Sequence, residues 1–391
     1  MRELLEGSRA VAEAIKLCQP GVISAYPITP QTHIVEELAA MVAGGKLNAE
    51  FVNVESEHSA ASVVLGAVAA GVRSFTATSS QGLLLMAEVV FNIAGMRLPV
   101  VMTCANRSIS APLNIWNDHQ DAITVRDSGW IQMHAENIQE ALDLHIQAYA
   151  IGESPRIMLP VIVNMDGFIL THGLEVADLP NQEQVDRFLP PYKPLFKLDV
   201  NNPLTLGPLV DPDYYLEARF AISETHKDVL KLIPLLRDQF QGVFGRSSGG
   251  LLEEYRTKDA EKVIVAMGSL CGTIKDVVDS LRAKGKKVGL LKLITYRPFP
   301  ADEIYRALKG VAKVAVLEKA VSLGSYSPLL SEIRSVFSGK KKPPIISGFV
   351  IGLGGRDITV DSIKEVFKKL TSKPISEEYI DLKPELLEEK I

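Results

Sequence analysis

The chain has 391 residues, 47% of them apolar and 23% charged, with a formal net charge of −5 at pH 7. That length exceeds one ordinary core and implies two or three domains, and that balance excludes a disordered chain. Lys and Arg are scattered and the run Lys340-Lys341-Lys342 reads as a solvated loop, so no nucleic-acid surface is expected.

The apolar periodicity predicts a first helix over residues 4–17, with neither the basic nor the apolar region of a secretory leader. Strands are expected at 22–25, 51–54, 74–78, 100–104 and 157–163, with helices over 32–41, 60–70, 83–95 and 138–150 between them. Such alternation predicts a doubly wound, mainly parallel sheet. Residues 176–210 are Pro-rich and expected to be extended, one or two helices follow over 213–244, and 245–250 reads as a turn or linker. A second α/β unit begins near Lys258, with strands at 262–267, 288–293 and 314–317 and helices at 273–284, 301–309 and 327–337. The tail from Ser376 is charged and apolar by turns, suiting an arm over a partner chain.

Cys18, Cys104 and Cys271 are far apart, which excludes an iron–sulfur cluster or a cysteine zinc site built by this chain alone. They also provide no disulfide framework, so a reducing, cytoplasmic setting is expected. Apolar stretches are interrupted well before membrane-spanning length, and no membrane partner is expected.

Three polar segments each follow a strand-type run: Tyr26-Pro27-Ile28-Thr29-Pro30, Glu55-Ser56-Glu57-His58 and Asn106-Arg107. Ligands of open α/β sheets bind beyond the carboxyl ends of strands, where such loops converge. A carboxylate, a guanidinium and a hydroxyl there suit a small anionic substrate. Each residue also has a plain structural reading. Glu57 suits a first helical turn, where the macrodipole favours an acid, Arg107 a surface ion pair, and Thr29 a turn between prolines. Thr78-Ser79-Ser80-Gln81-Gly82 is a polar strand-to-helix turn, a weak signal by itself.

Residues 114–121 gather Trp116, Asp118, His119 and Asp121 in one loop, and their spacing matches no closed metal site. On a strand Glu55 and Glu57 would share one face, a second arrangement a metal would accept. Gly352-Leu353-Gly354-Gly355-Arg356 is a poor dinucleotide fingerprint and reads as a structural turn or a chain–chain contact.

In order and wording these segments, with Tyr296-Arg297-Pro298-Phe299-Pro300 and Gly352 to Asp357, resemble the α chains of the 2-oxoacid:ferredoxin oxidoreductase family, on its pyruvate branch. The resemblance runs through most of the chain. It implies a thiamine-diphosphate pyrimidine-binding doubly wound domain over 1–250, including the Pro-rich and helical extension of about 176–250. A transketolase C-terminal-like α/β domain over 256–375 and a tail over 376–391 follow. It implies that Glu57 hydrogen-bonds the cofactor's pyrimidine ring, drives the neighbouring amine toward its imino form, and so lets the thiazolium carbon lose its proton. Arg107 then holds the substrate carboxylate, Thr29 bonds the substrate near its keto or carboxylate oxygen, and Pro27, Ile28, Thr78, Ser79 and Gln81 line the cofactor pocket.

The resemblance also implies pyruvate and coenzyme A as substrates, ferredoxin as electron acceptor, and β-, γ- and δ-type partner subunits. The Gly-Asp-Gly loop that holds Mg²⁺ and diphosphate is not found in this sequence. Mg²⁺, diphosphate and the [4Fe-4S] clusters are therefore assigned to partner chains. Alternatives at this stage are a branched-chain or other 2-oxoacid, a catalytically silent scaffold, and a metal-binding module.

Overall fold

The structure is a computed structural model and describes residues 2–388. It opens on a strand, β1 (Arg2–Glu6), ahead of helix α1 (Gly7–Cys18). The helix expected from residue 4 is corrected to this extent: residues 2–6 pair antiparallel with 174–178, Leu4 opposite Val176. Only Leu5 of the five is buried, so the short segment has no period that separates strand from helix, and its distant partner decides.

There follow β2 (Val22–Ser24), α2 (Thr32–Ala43), β3 (Glu50–Val52), α3 (Glu57–Ala69), β4 (Ser74–Thr78), α4 (Ser80–Leu85), α5 (Ala87–Gly95) and β5 (Val101–Asn106). The single helix expected over 83–95 is two, joined at the buried Met86. Next come α6 (Gln120–Thr124), β6 (Ile131–His134), α7 (Ile138–Gly152), β7 (Val161–Asp166) and β8 (Leu174–Asp178). Within the segment expected to be extended, β8 pairs with β1. There, too, α8 (Gln182–Phe188) is started by a capping box of Asn181 and Gln184. One helix, α9 (Pro212–Phe244), then runs 33 residues. Its buried positions, Ile222, Thr225, Val229, Ile233, Leu236, Phe240 and Phe244, recur every three or four residues and form one stripe.

The second part contains β9 (Leu252–Tyr255), β10 (Lys262–Ala266), α10 (Leu270–Arg282), β11 (Val288–Leu293), β12 (Thr295–Arg297) and α11 (Ala301–Leu308). It continues with β13 (Lys313–Glu318), α12 (Pro328–Val336), β14 (Ile345–Val350), α13 (Val360–Lys369) and β15 (Glu378–Tyr379). Six strands form a sheet in the order β15-β14-β13-β10-β11-β9, parallel except for β9. The segment expected as an arm thus begins by adding an edge strand to its own sheet.

The first sheet has seven strands, in the order β12-β6-β7-β5-β4-β2-β3. Its central parallel strands β4, β5, β6 and β7 are buried on both faces. Val161 and Val163 of β7 pack into one apolar cluster with Ile15 and Leu144, while Ile162 packs into another with Val90 and Met102. Strand β12 comes from the second part of the chain and pairs antiparallel with β6. Buried charges join the two parts as well. Lys292 Nζ reaches Glu136 Oε2 at 2.5 Å and Glu140 Oε1 at 3.0 Å.

On α7, His145 is fully buried, with Nδ1 2.6 Å from Ala141 O and Nε2 2.6 Å from Thr103 Oγ1. A carbonyl only accepts, so Nδ1 carries the proton, Nε2 accepts from the threonine, and the ring is neutral. Burial lowers its pKa from 6.5 to about 4. The unfolded chain takes up this proton first, so stability present above pH 6.5 is lost as the pH falls toward 4. The loss is about 3 kcal/mol. In urea unfolding followed between about pH 7 and about pH 4.5, His145→Gln should therefore lose less stability than the unaltered chain.

Candidate active site

The first sheet changes winding direction beside β2. The chain runs from β2 to β3 on one side, then crosses back to β4 on the other. Loops leaving strand ends at such a point diverge and leave a crevice. The segments after β2, β3, β4 and β5 all emerge at this end of the sheet.

Glu57 is the first residue of α3, not a strand residue. Strand β3 stops at Val52, and Ser56 caps the helix, its Oγ accepting from Ser59 N at 3.2 Å. The two glutamates therefore do not share a strand face. Glu55 stays outside and accepts a short hydrogen bond from Ser59 Oγ, whereas Glu57 turns inward and is 7% exposed. Opposite it lies Gly82 of α4. A Cβ there would stand 2.5 Å from Thr78 Oγ1 and 2.8 Å from Glu57 Oε1. Only glycine lets the carboxylate and the hydroxyl share this space. Thr78 Oγ1 is buried with no hydrogen-bond partner among the described residues.

The neighbouring turn is held from within. Ser79 Oγ donates to Ala105 O at 2.7 Å, so its hydroxyl is committed to the scaffold. Ser80 adopts a left-handed conformation, φ 47°, with its N–H donating to Asp121 Oδ2 at 3.0 Å. Gln81 is half-buried and its amide reaches Ser110 O at 3.5 Å.

Arg107, 7% exposed, donates from Nη1 to Thr29 O at 2.9 Å and from Nε to Asn114 O at 3.2 Å. Both acceptors are backbone carbonyls, so the guanidinium charge has no carboxylate partner among the described residues. Burial lowers its pKa and the nearby Asp121 opposes that shift. Thr29 is exposed beside it, as is Pro27, while Ile28 is half-buried. The structure thus gathers Glu57 and Thr78 at Gly82, and Arg107 with Thr29 at the next loop. Pro27 remains on the outer side.

Two residues not singled out as site residues hold these loops. Buried Gln31 donates from Nε2 to Ala77 O at 2.8 Å and to Tyr26 O at 3.1 Å, tying the Thr29 loop to β4. The fully buried Asp121 accepts from Arg107 N at 2.9 Å, Asn106 Nδ2 at 2.9 Å and Ala122 N at 2.7 Å, besides Ser80 N. The acidic character of Asp121 was visible in the sequence. Its donors, which come from two distant strand ends, were not.

The other polar groups of the 114–121 loop are engaged within the chain. His119 Nε2 lies 2.6 Å from Asp166 Oδ1, and Asp166 also takes Lys319 Nζ and Ser269 N, each at 3.0 Å. Burial would raise the Asp166 pKa, but Lys319 and His119 outweigh it and hold it well below the usual range. Asp118 Oδ2 accepts from Gly354 N at 3.1 Å, and Asn114 Nδ2 donates to Gly354 O at 3.0 Å. The glycine-rich turn is therefore an internal latch, with Gly355 pressed so close that a Cβ would stand 2.3 Å from that of Trp116.

Residues 13–238 match the family described as pyruvate flavodoxin/ferredoxin oxidoreductase, thiamine diphosphate-binding, and residues 260–363 match the pyruvate:ferredoxin oxidoreductase core domain II. The chain belongs to the pyruvate:ferredoxin oxidoreductase family. It is 50% identical to the pyruvate synthase subunit PorA of Methanothermobacter thermautotrophicus, over 98% of this chain and 99% of that one. The ketoisovalerate oxidoreductase subunit VorA of Pyrococcus horikoshii is 40% identical over 94% and 93%. As a family member it is an oxidoreductase subunit acting on a 2-oxoacid, with a thiamine-diphosphate-binding domain.

Two solved structures share the fold. A 2-oxoglutarate:ferredoxin oxidoreductase from Magnetococcus marinus superposes with TM-score 0.70 at 20% identity, over 93% of this chain and 65% of that one. A split-gene transketolase superposes at 0.54 and 12%, over 93% and 96%. They agree with an α/β fold of the transketolase-like kind, the first family match being a thiamine-diphosphate-binding domain. Among the described residues no helix is long and apolar enough to cross a membrane.

Asp121→Asn would put a donor where several N–H groups converge. It should destabilise the chain by about 3 kcal/mol in urea unfolding. The Ser80 and Arg107 amides should exchange with deuterium faster than in the unaltered chain.

Proposed function

We propose that the chain is the α subunit of a pyruvate:ferredoxin oxidoreductase. Pyruvate, coenzyme A and two oxidised ferredoxins give acetyl-CoA, carbon dioxide, two reduced ferredoxins and a proton, reversibly. Identity of 46–50% to several pyruvate synthase subunits, against 40% to the ketoisovalerate one, supports pyruvate over a branched-chain acid.

The observation that carries the site assignment is that the inward carboxylate of Glu57 and the Thr78 hydroxyl, which has no partner among the described residues, both face Gly82. That arrangement fits the polar edge of a pyrimidine: one acidic oxygen for a ring nitrogen, one free hydroxyl, and no side chain on the floor. Thiamine diphosphate, when bound, supplies the carbon nucleophile for the keto group and holds the electron pair after decarboxylation. Glu57 shares a proton with the ring nitrogen, which sets the basicity of the neighbouring amine. Thr78 fixes the ring's orientation, with Pro27, Ile28 and Gln81 at the rim and Ser79 bracing the turn.

Arg107 presents its remaining donors to the carboxylate of pyruvate, and its charge is the complement that this anion needs. Because Thr29 O anchors Nη1, the fork and the Thr29 hydroxyl approach the substrate together. Partner β-, γ- and δ-type subunits would hold Mg²⁺, the diphosphate and the [4Fe-4S] clusters that pass electrons to ferredoxin. Cys18, Cys104 and Cys271, all buried and free, suit a reducing cytoplasm.

In the complex purified around this chain, coenzyme A-stimulated dye reduction should be faster with pyruvate than with 2-oxoisovalerate or 2-oxoglutarate. Preference for another acid would reassign the substrate. Glu57→Gln should lower kcat by about 10²–10⁴-fold; unchanged turnover would point to a scaffold. Arg107→Lys should raise KM for pyruvate by about 10–100-fold through loss of the planar fork.

A further inference from the structure

The end of β1, the first turn of α2 and the turn ahead of β8 bring Glu6, His33 and His172 together at the surface. One ligand atom from each lies within 4.8 Å of the others. His33 Nδ1 is 2.6 Å from Glu6 Oε1, and the two imidazole rings stand 4.6 Å apart, centre to centre. His172 is fixed from behind. Its Nδ1 lies 2.7 Å from Thr171 Oγ1, and its ring rests against Phe168 at 4.9 Å. Thr171 is anchored in turn, because Ser8 Oγ donates to its carbonyl at 2.8 Å.

The surroundings favour a cation. An adjoining groove of about 430 Å³ is lined by Glu6, Glu36 and Glu37 with Arg9 as its basic residue, and Arg9 already reaches toward Glu37 at 3.8 Å and Glu13 at 4.0 Å. A neutral imidazole is the form that binds metal.

We propose that Glu6, His33 and His172 form a binding site for a divalent transition-metal ion of the Zn²⁺ type. Two imidazoles and one carboxylate are borderline ligands that suit Zn²⁺ better than Mg²⁺ or Ca²⁺, which take all-oxygen shells. A tetrahedral ion about 2.0–2.1 Å from each ligand needs them about 3.3 Å apart. Side-chain rotation at the surface covers the difference, and water completes the shell. The bound ion would clamp β1 and the 167–173 turn to the start of α2. His33 is four residues past Thr29, so the clamp stiffens the Thr29 loop from its outer side. The proposal is independent of the thiamine assignment.

The test is calorimetric titration of Zn²⁺ into the untagged full-length chain. One ion should bind per chain near neutral pH, and binding should weaken as the pH falls through the imidazole range, because both rings must shed protons to ligate. His33→Ala and His172→Ala should each weaken binding by more than the about 10–100-fold that loss of an outer-shell partner costs. Circular dichroism should show both variants folded. Co²⁺ in place of Zn²⁺ should give the visible absorption of a four-coordinate site in the unaltered chain and not in either variant. No saturable Zn²⁺ binding, or binding that survives either substitution undiminished, would overturn the proposal.

Discussion

A parallel sheet leaves the first N–H groups of each loop at its carboxyl end without partners, and a buried loop must find acceptors for them. In this chain one side chain meets much of that demand. Asp121 takes N–H groups from the turn after β4 and from the end of β5, and so fixes the separation of the two loops that carry Gly82 and Arg107. It also holds Ser80 in a left-handed conformation that serine adopts only when its surroundings compel it. The positions of Arg107 and of the turn before Gly82 follow from this carboxylate more than from the propensities of their own segments.

The second half of the chain enters the same arrangement through polar contacts. Asp166, at the end of β7, is shared between His119 of the active-site loop and Lys319 and Ser269 of the second half. The Gly354 turn holds Asn114 and Asp118, while Asn114 O accepts from Arg107. The second part is therefore joined by a short run of hydrogen bonds to the guanidinium assigned to the substrate. Buried pairs of this kind contribute little net stability, but they fix geometry strongly because breaking one strands a charge.

Much of the architecture was legible in the sequence because buried parallel strands are short apolar runs and the helices between them have a clear period. Strand β4 and the positions of Glu57 and Arg107 in segments that follow strands come from that pattern. What was not legible was non-local. The first strand is set by residues 174–178, and β12 by a partner in the other half of the chain. Glu57 does sit in a first helical turn, as its residue type suggested, but the Ser56 cap that starts α3 there was not read from the sequence. Gln31 and Asp121 were present as residue types, but their roles depend on which backbone groups face them after folding.

Strand β12 is short, and its register is irregular between Thr295 and Arg297. A brief, bulged strand ends a sheet in a way that discourages further strands from adding. The strand that seals the first sheet is thus supplied by a segment distant in sequence. A protease or a gene break that parted the halves near residue 250 would uncover β6 and its row of backbone donors and acceptors. The halves are consequently bound to a common fate in synthesis and turnover, since either one released alone would present a sheet edge inviting aggregation.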